Sequence, residues 1–93
     1  MELRFFLDPE TQQPHIYDHG VSEAEVRQIM AKPGQDDRGE RNTRMKLGQT
    51  DAGRYLLVVY APDEGGGSVF VITARELRGK ALKAFRRRRR KDK

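Results

Sequence analysis

Residues 54–61 read Arg-Tyr-Leu-Leu-Val-Val-Tyr-Ala, and this stretch carries the clearest β-strand signal in the chain. It is rich in β-branched and aromatic residues and is apolar on both faces, which is typical of a central strand. A Pro- and Gly-containing loop at residues 62–67 separates it from a second apolar stretch, residues 68–74. The two stretches predict a hairpin at the centre of a sheet.

The stretch before this hairpin predicts a third strand. Residues 43–48 alternate, so that Met45 and Leu47 fall on one face and Arg44 and Lys46 on the other. This pattern is typical of a half-buried strand, here with a basic outer face.

A helix is predicted between residues 22 and 32. Ser22 and Glu25 have the spacing of a capping box, in which each side chain bonds the backbone N–H of the other residue. Val21 and Val26 occupy the two hydrophobic positions that bracket such a cap. Pro33-Gly34 is expected to end the helix.

The remaining segments complete an α+β prediction. Residues 2–7 predict an edge strand that stops at Pro9, and residues 35–42 are polar and predict a loop. From Arg75 the apolar spacing becomes helical. The order strand, helix, three-stranded meander, helix predicts a small antiparallel sheet with both helices packed on one face. We expect one domain over residues 1–85, followed by a basic tail over residues 86–93.

Charge is concentrated at the end of the chain. The last eight residues carry a net charge of +6, whereas the preceding 85 residues hold 12 basic and 13 acidic groups. Such a run predicts contact with a polyanion, with RNA as the leading candidate, because each neutralised phosphate releases counterions. A passive helix end is the alternative. The residues predicted to bind nucleic acid are Arg44, Lys46, Arg54, Arg86, Arg87, Arg88, Arg89 and Arg90.

Composition excludes several other classes of site. Without cysteine the chain has no disulfide, no thiolate nucleophile and no cysteine zinc site. His15 and His19 are four residues apart, but Pro14 and Gly20 flank them and no third ligand has convincing spacing, so we expect neither a metal nor a cofactor. No apolar run approaches the roughly 20 residues of a membrane span. We therefore expect a cytoplasmic protein.

Three stretches resemble a known family. They are Leu7-Asp8-Pro9, then His19-Gly20-Val21-Ser22, and then residues 47–60 continuing to residues 71–76. Together they resemble the BrnT toxins and their relatives in the RelE-like ribonuclease superfamily. The resemblance covers most of residues 5–85, and the His-Gly-Val and Ile-Thr-Ala-Arg pieces are its most specific parts.

The resemblance implies a fold, an activity and a partner. It implies a RelE-like toxin of a type II toxin–antitoxin pair that cuts RNA, free or on the ribosome, without a metal and is held inactive by a cognate antitoxin. Arg75 would stabilise the negative charge of the phosphorane, and His19 or Glu76 would move protons. These three residues are the predicted catalytic residues.

The chain departs from the family pattern at several positions. Ala81 aligns where the family has Glu, and Phe85 where it often has Tyr. Asp18 stands in place of the usual Lys, and residues 69–71 lack the usual basic residue. These departures define a divergent member and leave two hypotheses open. One is a metal-independent endoribonuclease, and the other is an inactive module of the same fold that binds RNA or a protein.

Overall fold

The structure is a computed structural model that describes residues 2–63 and 65–91, with side chains through Arg89. Within these residues the chain forms a five-stranded sheet, two α-helices and a short 3₁₀ helix. The elements in chain order are β1 (Glu2–Phe5), the 3₁₀ helix (His15–His19), α1 (Glu23–Ala31), β2 (Gln35–Arg38), β3 (Arg44–Gln49), β4 (Tyr55–Pro62), β5 (Ser68–Glu76) and α2 (Gly79–Lys91). The sheet order is β1-β5-β4-β3-β2.

The predicted central hairpin is confirmed, but the sheet is mixed rather than wholly antiparallel. Strand β4 lies in the middle and pairs antiparallel with β3 and β5. Strand β1 is an edge strand as predicted, yet it ends at Phe5 and runs parallel to β5. The parallel register places Leu3 opposite Val69, and both side chains are buried in one hydrophobic cluster.

The two helices pack on opposite faces of the sheet, so the prediction that they share one face was wrong. Leu56 and Val58 of β4 pack in one cluster with Ile29 of α1. Leu57, which points the other way, packs in a second cluster with Phe85 of α2. Successive strand residues point to opposite faces. Because β4 is apolar on both faces, each face needs its own cover.

The start of α1 forms as the sequence predicts. The Ser22 hydroxyl accepts a hydrogen bond from the Glu25 N–H at 3.1 Å, and the Glu25 carboxylate accepts one from the Ser22 N–H at 3.0 Å. Val21 and Val26 are buried beside this capping box. The cap therefore sets where the helix begins and which face it buries.

Residues 35–42 were predicted as a loop, but Gln35–Arg38 forms the edge strand β2. Its side chains give no apolar alternation. The strand is held by its backbone ladder to β3 and by Asp36, whose carboxylate accepts hydrogen bonds from the Tyr60 hydroxyl at 2.6 Å and from Arg44 Nε at 3.0 Å. A charged edge strand of this kind resists pairing with other chains.

The last helix was predicted to begin near Arg75, but β5 continues to Glu76. The Leu77 N–H still donates to the Tyr55 carbonyl at 2.9 Å, which extends the contact between the two strands by one residue. Gly79 then adopts a φ of 57°, in the left-handed region that favours glycine, and α2 begins there. Gly79 therefore forms the corner between β5 and α2.

Candidate nucleic-acid interface

Helix α2 carries the predicted arginines on its last turns. Arg86 to Arg89 are all exposed, and the helix extends through them to Lys91. The Cζ atom of Arg86 lies 5.7 Å from the centroid of the Tyr55 ring, and that of Arg89 lies 5.8 Å from the Phe85 ring. Both distances fit cation–π contacts, which hold the guanidinium groups against the sheet side of the helix. The side chain of Arg90 lies outside the described residues.

Two of these arginines are held by glutamine amides. Arg88 Nε donates to the Gln35 carboxamide oxygen at 2.8 Å, and Arg89 Nη1 donates to the Gln49 carboxamide oxygen at 2.8 Å. A carboxamide is neutral, so neither bond compensates the positive charge. Among the described side chains, none of Arg86 to Arg89 forms an ion pair with a carboxylate.

The basic residues of β3 have partners inside the protein. Arg44 donates to both the carboxylate and the backbone carbonyl of Asp36. Its hydrogen bond to the Asp36 carboxylate, together with the negative charge of that group, raises the pKa of Arg44 further. Lys46 Nζ donates to the Met30 carbonyl at 3.3 Å. Both side chains therefore connect neighbouring elements of the fold.

Arg54, another residue predicted to bind nucleic acid, bonds several groups inside the protein. Its Nη1 donates to the Gly20 carbonyl at 2.8 Å and to the two carboxylate oxygens of Glu25 at 3.0 and 3.1 Å. Its Nη2 lies 3.5 Å from Glu76 Oε2. Burial acts to raise the pKa of Glu25, but hydrogen bonds from the Ser22 backbone and from Arg54 together lower it below its ordinary value.

The structure does not bring the three predicted catalytic residues together. Arg75 pairs with Leu57 and faces α2, whereas Glu76 pairs with Leu56 and faces α1. His19 precedes Gly20, whose carbonyl binds Arg54. Arg54 therefore links the end of the 3₁₀ helix to Glu76, and the sheet separates Arg75 from both.

A second polar cluster, missed from the sequence, surrounds His15. Its Nδ1 lies 3.3 Å from Asp18 Oδ2 and 4.0 Å from Asp8 Oδ2. The pKa of Asp8 is lowered, mainly by a hydrogen bond from the Glu10 N–H and next by a hydrogen bond with the Asp18 side chain. Each of the three side chains has one possible metal-ligand atom, and these three atoms lie within 4.8 Å of one another. Exposed acidic groups are commonly this close to one another without a metal ion, so the geometry assigns no metal.

A groove runs along the edge of β3, beneath the arginines of α2. Its volume is about 1170 Å³, and we call it the α2 groove. Strand β2 covers β3 only as far as Leu47, so Gly48 and Gln49 line the groove beyond the start of β2. No sequence motif marks it, because its walls come from α1, β2, β3 and α2. The residues that line it include Ile29, Lys32, Gln35, Asp37, Lys46, Gln49, Asp51, Phe85, Arg88 and Arg89.

No protein-family model matches the chain, and neither the curated proteins nor the solved structures yielded a significant match. The resemblance to the BrnT and RelE families therefore stays a prediction. Over the residues that the structure describes, no helix is long and apolar enough to cross a membrane.

Proposed function

We propose that this protein is a divergent member of the BrnT/RelE-like group and binds RNA through the arginines of α2. One observation carries the proposal. Arg86 to Arg89 are exposed, and their described partners are amides and aromatic rings rather than carboxylates. Their charge is available to phosphates, and each phosphate that they neutralise releases counterions.

The kind of binding follows from the contacts that α2 offers. Guanidinium groups bind phosphate oxygens with paired N–H donors and carry no base preference by themselves. The aromatic rings beside them are Tyr55, which is half-buried, and Phe85, which is buried, so they are poor platforms for stacking bases. We propose backbone recognition with little sequence preference. The proposal places the protein in the cytoplasm and includes an acidic antitoxin as its protein partner.

A second candidate function is the metal-free cleavage of RNA, and one observation favours it. The rings of His15 and His19 lie 5.1 Å apart, and His19 adjoins the carbonyl that binds Arg54. One imidazole would take the proton of the ribose 2′-OH as its oxygen attacks phosphorus. The other would protonate the departing 5′-oxygen, leaving a 2′,3′-cyclic phosphate.

The binding proposal is tested with fluorescein-labelled oligouridylate over a series of salt concentrations. We compare the R87Q/R88Q/R89Q variant with a matched control, R27Q/R38Q/R41Q, which removes equal charge from exposed sites on α1, at the end of β2 and in the loop after it. The α2 variant should lose affinity, and the slope of log K against log salt should become shallower, because fewer phosphates are neutralised. Equal losses in the two variants would contradict binding through α2.

The cleavage proposal is tested with end-labelled RNA, in EDTA for the free RNA and in magnesium buffer for RNA bound to ribosomes. Products that end in 2′,3′-cyclic phosphate and disappear in the H15Q/H19Q variant would support it. The R75A variant is the control that separates this site from the one implied by the family resemblance. Intact RNA with the native protein in both conditions would reject cleavage and leave the binding proposal standing.

A further inference from the structure

The α2 groove differs from a simple patch of positive charge because the two arginines that line it are anchored. Arg88 bonds Gln35 at the start of β2, and Arg89 bonds Gln49 at the end of β3. These glutamines lie on adjacent strands, with Gln35 opposite Leu47 and Gln49 two residues further along β3. One guanidinium group is therefore held at the start of β2, and the other is held beyond it, at the end of β3.

The anchoring bonds leave most of each guanidinium group available. Arginine has five N–H donors, and each of these arginines uses one on its glutamine. An arginine that is already ordered loses less conformational freedom when it binds an anion. The glutamines thus orient the two arginines without neutralising them.

The acidic residues of the groove already have partners. Asp51 accepts a hydrogen bond from Lys32 Nζ at 2.5 Å, and Asp37 accepts one from the Gln35 carboxamide nitrogen at 2.6 Å. The bond from Gln35 leaves Asp37 charged. The ammonium of Lys46, which among the described residues bonds only the Met30 carbonyl, offsets that charge. The net charge left for a ligand therefore equals that of Arg88 and Arg89, two positive charges on the wall formed by α2. Two guanidinium groups suit an oxyanion with several accepting oxygens, such as a phosphate.

We infer that the α2 groove is a seat for one phosphate group of bound RNA, held by Arg88 and Arg89, with Gln35 and Gln49 as positioning residues. The inference rests on the proposed RNA binding and deepens it. The inference predicts that the arginines of α2 contribute unequally to RNA binding. Arg87, which has no hydrogen bond or ion pair among the described residues, contributes only long-range charge.

The first test compares single variants that remove the same charge. R88Q and R89Q should each weaken binding of labelled oligouridylate about tenfold, the usual result of losing a hydrogen bond to a charged group. R87Q should weaken it about twofold, since it removes only a screened charge. Equal effects of all three would overturn the seat and leave RNA binding through α2 intact. A native protein that does not bind the RNA would overturn both.

The second test removes the anchors and keeps the charge. Q35M and Q49M should each weaken RNA binding about threefold while the salt slope stays unchanged, because the number of neutralised phosphates is the same. Thermal unfolding of both variants identifies any loss that comes from misfolding. An unchanged affinity in two folded variants would overturn the positioning role.

The third test uses the native protein and identifies the source of the phosphate. The side-chain Nε–Hε signals of arginine are followed by NMR during titration with oligouridylate or with inorganic phosphate. Shifts confined to Arg88 and Arg89 with the RNA, at concentrations where inorganic phosphate has no effect, would support the inference. Shifts with inorganic phosphate and none with the RNA would assign the groove to a free phosphate and overturn it.

Discussion

Arg75 and Glu76 are consecutive residues of β5 and lie on opposite faces of the sheet. Arg75 sits beside Leu57 under α2, and Glu76 sits beside Leu56 on the side of α1. A reaction that needs both side chains at one phosphate would have to reach through the sheet. Arg54 lies on the α1 side of the sheet, where it contacts both Glu76 and the Gly20 carbonyl that follows His19.

We predict that Arg75→Ala changes neither stability nor RNA binding appreciably. Arg75 is exposed and has no hydrogen bond among the described residues, and such surface changes usually stay within about 0.5 kcal/mol. Thermal unfolding and RNA titration of the variant provide the measurement. A tenfold loss of affinity would instead place Arg75 in the binding surface.

Arg54→Met is expected to destabilise the fold by about 2 kcal/mol. The substitution removes hydrogen bonds to Glu25 and to the Gly20 carbonyl and leaves a partly buried carboxylate without its partner. Arg54→Lys should recover only part of the loss, because an ammonium group cannot bridge the same acceptors in a fixed plane. Urea unfolding measures both variants, with Arg27→Met as the exposed control. If Arg54→Met were as stable as that control, the hydrogen bonds of Arg54 to Glu25 and Gly20 would not stabilise the fold.

Protonation of Glu25 should account for part of the loss of stability at acidic pH. Its pKa is lowered in the folded state, so its contribution is present above the ordinary value of 4.5 and is lost as the pH falls through the folded pKa. Unfolding free energies measured between neutral pH and about pH 3 should therefore decrease less steeply in Glu25→Gln than in the native chain. Parallel curves for the two proteins would show that Glu25 does not contribute to the acid loss.

Tyr60→Phe is predicted to loosen β2. The Tyr60 hydroxyl donates to Asp36 at 2.6 Å, and its removal should cost about 1–2 kcal/mol. Hydrogen exchange should accelerate at the backbone amides of β2 more than at those of β4, because the lost bond anchors the edge strand. Tyr55→Phe, at a tyrosine of β4 that faces α2, is the control. A uniform increase over the whole sheet would mean that β2 does not respond separately.

Local signals predicted the elements that depend on neighbours in sequence. The capping box of Ser22 and Glu25 specified the start of α1, and the apolar run at residues 54–61 specified the central strand. The alternation at residues 43–48 correctly separated Met45 and Leu47 from the basic residues of the same strand. Each of these signals rests on a periodicity or a spacing of a few residues.

The errors arose where distant residues decide the outcome. Strand β2 has no apolar pattern, and one of the bonds that anchor it is donated to Asp36 by the hydroxyl of Tyr60, 24 residues away. Because β4 is apolar on both faces, each face must be covered by another part of the chain, and the prediction of both helices on one face leaves the other face uncovered. The C-terminal end of β5 depended on its pairing with β4 and on the turn at Gly79.

The sequence by itself determined the cationic end, the capped helix and the central hairpin, because charge, caps and strand periodicity are local properties. Only the tertiary structure decided which basic residues keep a positive charge available to a ligand. It directed Arg44, Lys46 and Arg54 to internal partners and set Arg88 and Arg89 against neutral glutamines. The physical reason is that a side chain's partner depends on which strands and helices become neighbours, and that follows from burying both faces of the sheet.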